Sequence, residues 1–260
     1  MKYPLTSTMM TDNSIQKNYK LTIQYDGTHF LGWQTQAKGR TVQGEIEKAF
    51  SEIFPEQKIT LVGSGRTDSG VHAIAQVANI LLNSKMSSKT LVRALNAKIG
   101  KDVWIEDCCE VPIDFNSRYS AVRRSYNYKI KRQYSPFYRN TYLHIKFNVD
   151  PDKLANCSSM IIGDHDFTSF CKSTAEVNHK RCIVEESRWE FKSDEMTYII
   201  TANRFLQHMV RYLVGTMIEV ARGRMNMNDF SQFLNGGHHK LSVVRAPANG
   251  LFLVKVYYQD

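Results

Sequence analysis

The sequence has no apolar run near the roughly 20 residues that a membrane-spanning helix needs. Its first residues, MKYPLTSTMM, also lack the charged-then-apolar plan of a secretory leader. Both absences predict a soluble, cytoplasmic protein. Cysteine is scarce: there are five in 260 residues, Cys108 and Cys109 are adjacent, and no pair has C-x-x-C spacing. An odd count without that spacing indicates neither a disulfide framework nor a zinc site. Phosphate-cradling glycine patterns are missing too. In GSGRTDSGVH, residues 63–72, Val71 follows Gly70 where a P-loop requires lysine, and Asp68 stands where a dinucleotide fingerprint requires glycine. A further absence has a sign: between residues 118 and 146 there is no Asp or Glu.

What fills that acid-free stretch is cation and aromatic. It holds Arg118, Arg123, Arg124, Lys129, Lys131, Arg132, Arg139 and Lys146, interleaved with Tyr119, Tyr126, Tyr128, Tyr134, Phe137, Tyr138 and Tyr142. The whole chain carries a formal charge of +9 and a pI near 9.2, so its partner is expected to be anionic, either nucleic acid or an acidic membrane surface. A membrane-surface segment needs amphipathic helical spacing, and the local period here is that of strands, which favours nucleic acid. Zinc-finger spacing, a heptad zipper, a helix-turn-helix and the RNA-recognition aromatic octapeptide are all lacking. Scattered cations with flat rings suit folded or single-stranded RNA at least as well as duplex DNA.

Composition, with 42% hydrophobic and 23% charged residues, allows one large core or two closely packed halves. Residues 1–18 show no period and are expected to form a flexible arm. In residues 20–25, Leu21, Ile23 and Tyr25 alternate with polar residues as in a half-buried strand, and Asp26-Gly27 supplies a turn. Val42, Ile46, Ala49, Phe50 and Ile53 then share one helical face before Pro55. Apolar stretches at residues 60–63 and 71–82 flank the glycine-rich loop and predict a strand on each side. A second helix is expected from Ser88, with Leu91, Leu95 and Ile99 in phase, and strands are expected at residues 104–111 and around Tyr126, Tyr128 and Ile130. The mixture recurs at residues 196–202 (strand), 205–222 (helix) and 251–258 (strand). Along the last helix, Arg204, His208 and Arg211 fall at i, i+4 and i+7, a stripe that reads equally as a solvated face or an anion-binding one.

The loop itself allows two readings. Asp-Ser-Gly is ordinary turn chemistry, and the carboxylate could be incidental. Apolar flanks, however, anchor the ends of the loop in a core, and Arg66 is a nearby cation that could offset desolvation of an ionised Asp68. A held carboxylate on a basic surface is what general-base or nucleophilic chemistry on a sugar or base requires. His72 is a second acid-base candidate, although a histidine opening an apolar strand is more often structural.

GRTDSGVHA at residues 65–73 resembles the signature of the tRNA pseudouridine synthase A (TruA) family. Five further stretches resemble the family's successive motifs in order: YDGTHFLGWQTQ (25–36) with TVQGEIEKAF (41–50), FNSRYSAVRRSYNYKI (115–130), GDHDFTSF (163–170), FLQHMVRYLVGTM (205–217) and APANGLFLVKVYY (246–258). Ser64 and Ser69 stand where the family pattern has alanine and Ala75 where it has glycine, all small-for-small changes.

The resemblance implies an α+β pseudouridine synthase fold, with two similar α/β subdomains at residues 19–115 and 116–260 whose antiparallel sheets join into one central sheet. It implies isomerisation of uridine to pseudouridine at positions 38–40 of the tRNA anticodon stem-loop by a homodimer, with no cofactor and no metal. Asp68 matches the essential catalytic aspartate. Arg66 matches an arginine that pairs with that aspartate and holds the target nucleotide out of the stack. Tyr126 matches a tyrosine that packs on the flipped uracil and helps remove the C5 proton, and Leu251 an apolar residue that closes the pocket. Phosphate contacts are expected at Arg118, Arg123, Arg124, Arg204, His208 and Arg211. Two rivals are a paralogue with the same chemistry on another RNA and a non-catalytic RNA-binding protein. The second would have lost the carboxylate, and Asp68 is present.

Overall fold

The computed structural model describes residues 16–172, 179–235 and 242–259. In chain order the elements are β1 (Gln16–Tyr25), α1 (Val42–Ile53), β2 (Val62–Gly63), β3 (His72–Asn83), α2 (Ser88–Asn96), β4 (Val103–Val111) and β5 (Ala121–Lys131). They continue with β6 (Leu143–His144), α3 (Pro151–Met160), β7 (Gly163–Asp166), β8 (Arg181–Phe191), β9 (Glu195–Ala202), α4 (Met209–Ala221), α5 (Met227–Leu234) and β10 (Leu251–Tyr258). The architecture is α+β: one mixed sheet of ten strands with five helices among the described residues.

The sheet runs β4-β1-β3-β10-β5-β9-β8-β7, with β2 on β3 and β6 on β5. Its pairings are antiparallel except β3–β10 and β5–β6. Strands from before residue 112 therefore meet those from after residue 120 across β10, the last strand, which lies between β3 and β5. The β3–β10 seam is short, with Phe252 opposite His72 and Leu253 opposite Ala73. That seam fixes the start of β10 beside the end of the loop 64–71.

Local rules account for the helices. Thr41 caps α1 by accepting the Gly44 N–H, and the in-phase Val42, Ile46, Ala49 and Phe50 are buried. Burial stabilises each of the larger side chains by about 1.5–3 kcal/mol. Asp150 caps α3 with Pro151 in its first turn, and Asn226 with Asp229 forms a capping box on α5. Almost every residue of α4 is buried, and its Gly215 packs where a Cβ would lie 2.1 Å from the Val244 carbonyl oxygen. None of the helices among the described residues is long and apolar enough to cross a membrane.

Two expectations about the elements need correction, and α3, β8 and α5 were not expected. First, the ordered chain starts before Tyr19: residues 16–18 belong to β1 and pair with residues 81–83. Asn18 is buried because its amide donates to the carbonyls of Pro112 and Phe115, a polar anchor that leaves no apolar period. Residues 1–15 of the expected arm lie outside the described residues.

Second, the helix expected from Phe205 starts at Met209, because His208 sits at φ 68° and breaks the helical path. No element is expected from the sequence over α3, β8 or α5, although α5 is amphipathic and buries Phe230, Phe233 and Leu234 on one face. In β8 a register shift between Val184 and Glu186 breaks the alternation that otherwise buries Cys182, Val184, Ser187 and Trp189.

Candidate active site

The loop 64–71 leaves β2 and enters β3 under many restraints. The Ser64 N–H donates to the Val77 carbonyl at 2.8 Å, the Ser64 hydroxyl to Gln76 Oε1 at 2.7 Å, and the Gln76 amide back to the Gly65 carbonyl at 2.9 Å. Thr67 is buried, and its hydroxyl shares a 2.8 Å hydrogen bond with that of Tyr25. The Thr67 carbonyl accepts from the Trp33 N–H, while the Ser69 hydroxyl and the Gly70 N–H both donate to the Phe30 carbonyl. This close approach needs Gly32, at φ 101°, where a Cβ would lie 2.6 Å from the Thr67 oxygen. Gly70, at φ 77°, brings the loop against Ala248, just ahead of β10. Ser64 and Ser69, the two serines that replace alanine in the family pattern, both use their hydroxyls to hold the loop.

The partners of Asp68 come from the start of α4. His208 Nδ1 is 2.6 Å from Asp68 Oδ2, and Arg211 Nη1 is 3.2 Å from the same oxygen. Arg211 is itself fixed, its Nε donating to the Ala246 carbonyl at 2.9 Å while the Ala246 N–H returns a bond to the Arg211 carbonyl. The first turn of α4 also contributes the positive end of the helix dipole, which favours an anion. Oδ1 of Asp68 has no hydrogen-bond partner among the described residues, and it is not among the sealed polar atoms. One oxygen is therefore gripped and the other is open.

Tyr126 and Leu251 are brought to the same place by the sheet. Tyr126, buried on β5, pairs in register with Leu253 and Ile200 and packs edge-on against Phe205 with ring centroids 4.9 Å apart. Burial first, and the charge of Asp68 second, push its phenol well above the usual tyrosine range. Leu251, also buried, opens β10 opposite Tyr128, whose hydroxyl donates to the Pro247 carbonyl.

Other expected residues go elsewhere. Arg66 was expected to pair with Asp68; it is exposed and makes no ion pair with it. Thr67 turns inward to Tyr25 and Asp68 toward α4, which leaves Arg66 at the rim. The stripe of Arg204, His208 and Arg211 is not a solvent-facing row, because His208 precedes the helix and both His208 and Arg211 serve a carboxylate of the protein itself. Arg204, partly buried, makes no hydrogen bond or ion pair among the described residues.

Arg124 was expected on a phosphate and instead satisfies four main-chain carbonyls. Nη1 donates to Ala121 and Asn203, and Nη2 to Ser64 and Arg118, at 2.8–3.1 Å. Desolvation lowers its pKa from the ordinary arginine value. Arg123 pairs with Glu185 at 2.8 Å and lies over the Tyr257 ring, while Arg118 is exposed over Tyr119. His72 is structural: Nδ1 accepts from the Gly27 N–H, Nε2 lies 2.8 Å from the Asn140 carbonyl, the ring stacks on Phe252, and burial lowers its pKa.

The chain matches the family described as "tRNA pseudouridine synthase" over residues 21–120 and 158–259. It is 38% identical over 244 residues to the tRNA pseudouridine synthase A of Caldicellulosiruptor saccharolyticus, covering 93% of this chain and 100% of that protein. It is 40% identical over 247 residues to the protein of that name from Brachyspira hyodysenteriae, covering 94% and 99%, and 34% identical over 248 residues to the one from Geobacillus sp., covering 95% and 100%. The chain belongs to the TruA family. It is thus a tRNA pseudouridine synthase, an isomerase. In this TruA enzyme the β3–β10 seam and the β5–β10 pairing place Leu251 opposite Tyr128 and Leu253 opposite Tyr126, beside the end of the loop.

Proposed function

We propose that the enzyme converts uridine to pseudouridine at positions 38–40 of the tRNA anticodon stem-loop, with Asp68 as the essential carboxylate and as a homodimer. The observation that carries this reading is the asymmetric hold on Asp68: Oδ2 is bound by His208 and Arg211 while Oδ1 has no partner among the described residues. The reaction breaks the C1′–N1 bond, forms C1′–C5, moves a proton from C5 to N1 and conserves every atom. A carboxylate with a free oxygen can act at the sugar or at the base, and no redox or group donor is consumed. The target nucleotide must leave the stack to reach a recessed carboxylate. Leu251 and the Tyr126 ring then offer apolar surfaces to the flipped uracil, and the exposed Arg66 stands at the rim to hold the displaced strand.

Burial and the Asp68 charge both favour the protonated form of Tyr126. Its role is therefore packing and hydrogen-bond donation, and proton removal by a phenolate is disfavoured. Asp68→Asn is expected to abolish pseudouridine formation on purified tRNA while tRNA affinity stays within about threefold. Turnover in that variant would overturn the assignment of Asp68. Mapping pseudouridine in tRNA from cells with and without the gene tests the positions.

A further inference from the structure

We infer that His208 is a positioning residue: it donates from Nδ1 to Asp68 Oδ2, fixes the plane of the carboxylate and so leaves Oδ1 as the reacting oxygen. The inference rests on the reading of Asp68 as the catalytic carboxylate and adds the group that aims it.

The first observation is conformational. His208 is the one non-glycine residue with positive φ among the described residues, at φ 68° and ψ 0°. A left-handed conformation is unfavourable for most L residues and persists only where surrounding contacts hold it. His208 also occupies the N-cap position of α4, yet its side chain caps nothing. Its imidazole is instead turned to a loop 140 positions earlier in the chain.

The second observation is geometric. A separation of 2.6 Å is at the short end for a nitrogen–oxygen hydrogen bond, as expected when the acceptor is charged. With the carboxylate ionised, the shared proton must sit on Nδ1, and Nε2 has no protein partner among the described residues. Arg211 reaches the same oxygen at 3.2 Å, a longer contact that by itself would leave the carboxylate free to rotate about χ2. Two donors on one oxygen, one from the N-cap of α4 and one from the third residue of its first turn, define its orientation. The imidazole also meets the Tyr212 ring edge-on, with ring centroids 6.2 Å apart.

Side-chain chemistry supplies the test. Asparagine carries its Nδ2 donor as many bonds from Cα as histidine carries Nδ1, and it tolerates the left-handed region. Glutamine places its donor one bond further out. Glycine relaxes the backbone and donates nothing. We expect His208→Asn to keep kcat within about threefold of the parent. His208→Gly and His208→Gln should lose about 10- to 100-fold in kcat, as a misplaced reacting group does, with KM for tRNA changed less than about threefold.

Full activity in His208→Gly would overturn the inference, because the donor would then be dispensable. An equal loss in His208→Asn and His208→Gly would also overturn it, because the imidazole itself rather than the donor would be needed. A downfield Nδ1–H proton resonance is expected in the parent and should vanish in Asp68→Asn. Its absence from the parent would remove the hydrogen bond on which the inference stands. Turnover in Asp68→Asn would instead defeat the reading of Asp68, a separate outcome from any in the His208 series.

Discussion

The loop at residues 64–71 and the acid-free segment at residues 118–146 both concentrate charge, and the fold treats them in opposite ways. The loop has one anion, and its grip comes from His208 and Arg211, 140 and 143 positions away. The segment has eight cations, and the fold brings acids and carbonyls to several of them: Glu185 to Arg123, Asp194 to Lys131, and four carbonyls to Arg124. Exposed cations are left at Arg118, Arg132, Arg139 and Lys146, half of the original eight. The aromatics divide likewise. Tyr126 and Tyr128 are core, while Tyr119, Tyr134, Phe137 and Tyr138 are exposed. A surplus of charge along the chain is therefore not a surplus at the surface, and the part of the segment open to an anionic partner is smaller than its composition suggests.

The largest effect expected in either region is the loss of turnover in Asp68→Asn, which leaves the fold and the basic surface intact. Arg124 links the two regions, because its guanidinium ties the Ser64 carbonyl to β5 and to the end of β9. Arg124→Ala is expected to lower the unfolding free energy by about 3 kcal/mol, since it leaves buried carbonyls without a donor. Arg124→Lys should recover only part of this, because an ammonium cannot span the same fork. A denaturant midpoint unchanged in Arg124→Ala, with tRNA binding weakened instead, would return Arg124 to the phosphate contacts.

Alkaline unfolding sharpens the same division for the tyrosines. Burial raises the phenol pKa of Tyr25, Tyr126, Tyr128, Tyr198 and Tyr258. In the unfolded chain these groups titrate near pH 10, so their contribution to stability is whole below about pH 10. It is lost as pH rises toward the higher folded values, because only the unfolded state releases the protons. The unfolding free energy should fall by up to about 1.4 kcal/mol per pH unit for each such phenol. A step of tyrosinate absorbance should coincide with loss of the fold. If the full tyrosinate signal appears while the fold persists, these tyrosines are not core.

The smallest effects concern salt. Arg118→Ala is expected to reduce the slope of log affinity for tRNA against log salt by about 1, as one lost phosphate contact would. Arg123→Ala should change it less, because Glu185 already neutralises that guanidinium. Equal slopes for the two variants would place Arg118 off the RNA, and a larger change at Arg123 would show that its pair with Glu185 opens on binding.

Much of the fold was legible where burial is strictly periodic. Alternation in β1, the in-phase stripes of α1 and α2 and the apolar β10 all left patterns in sequence. Apart from α5, the elements that escaped lack such patterns: Asn18 is anchored by hydrogen bonds, β8 is broken by a bulge, and α3 buries only Leu154, Cys157 and Ser158. The site was legible in part. Flanking strands gave the loop, and the ordered motifs pointed to Asp68, Tyr126 and Leu251. Arg66 reads as the partner of Asp68 from its closeness in sequence and from the family resemblance, but proximity along a turn does not fix direction in space.

By itself the sequence determined the elements whose cores repeat every two or every 3.6 residues, the family, and the presence of one carboxylate in a glycine-bent loop. The tertiary structure alone decided which cations meet that carboxylate, which of its oxygens stays open, and which members of the basic segment face solvent. The reason is physical. Backbone periodicity is a local constraint and leaves a trace in neighbouring residues, whereas hydrogen bonds and Coulomb attraction act through space. The Asp68–Arg211 pair, 143 positions apart, exists only because the sheet and α4 bring its ends together.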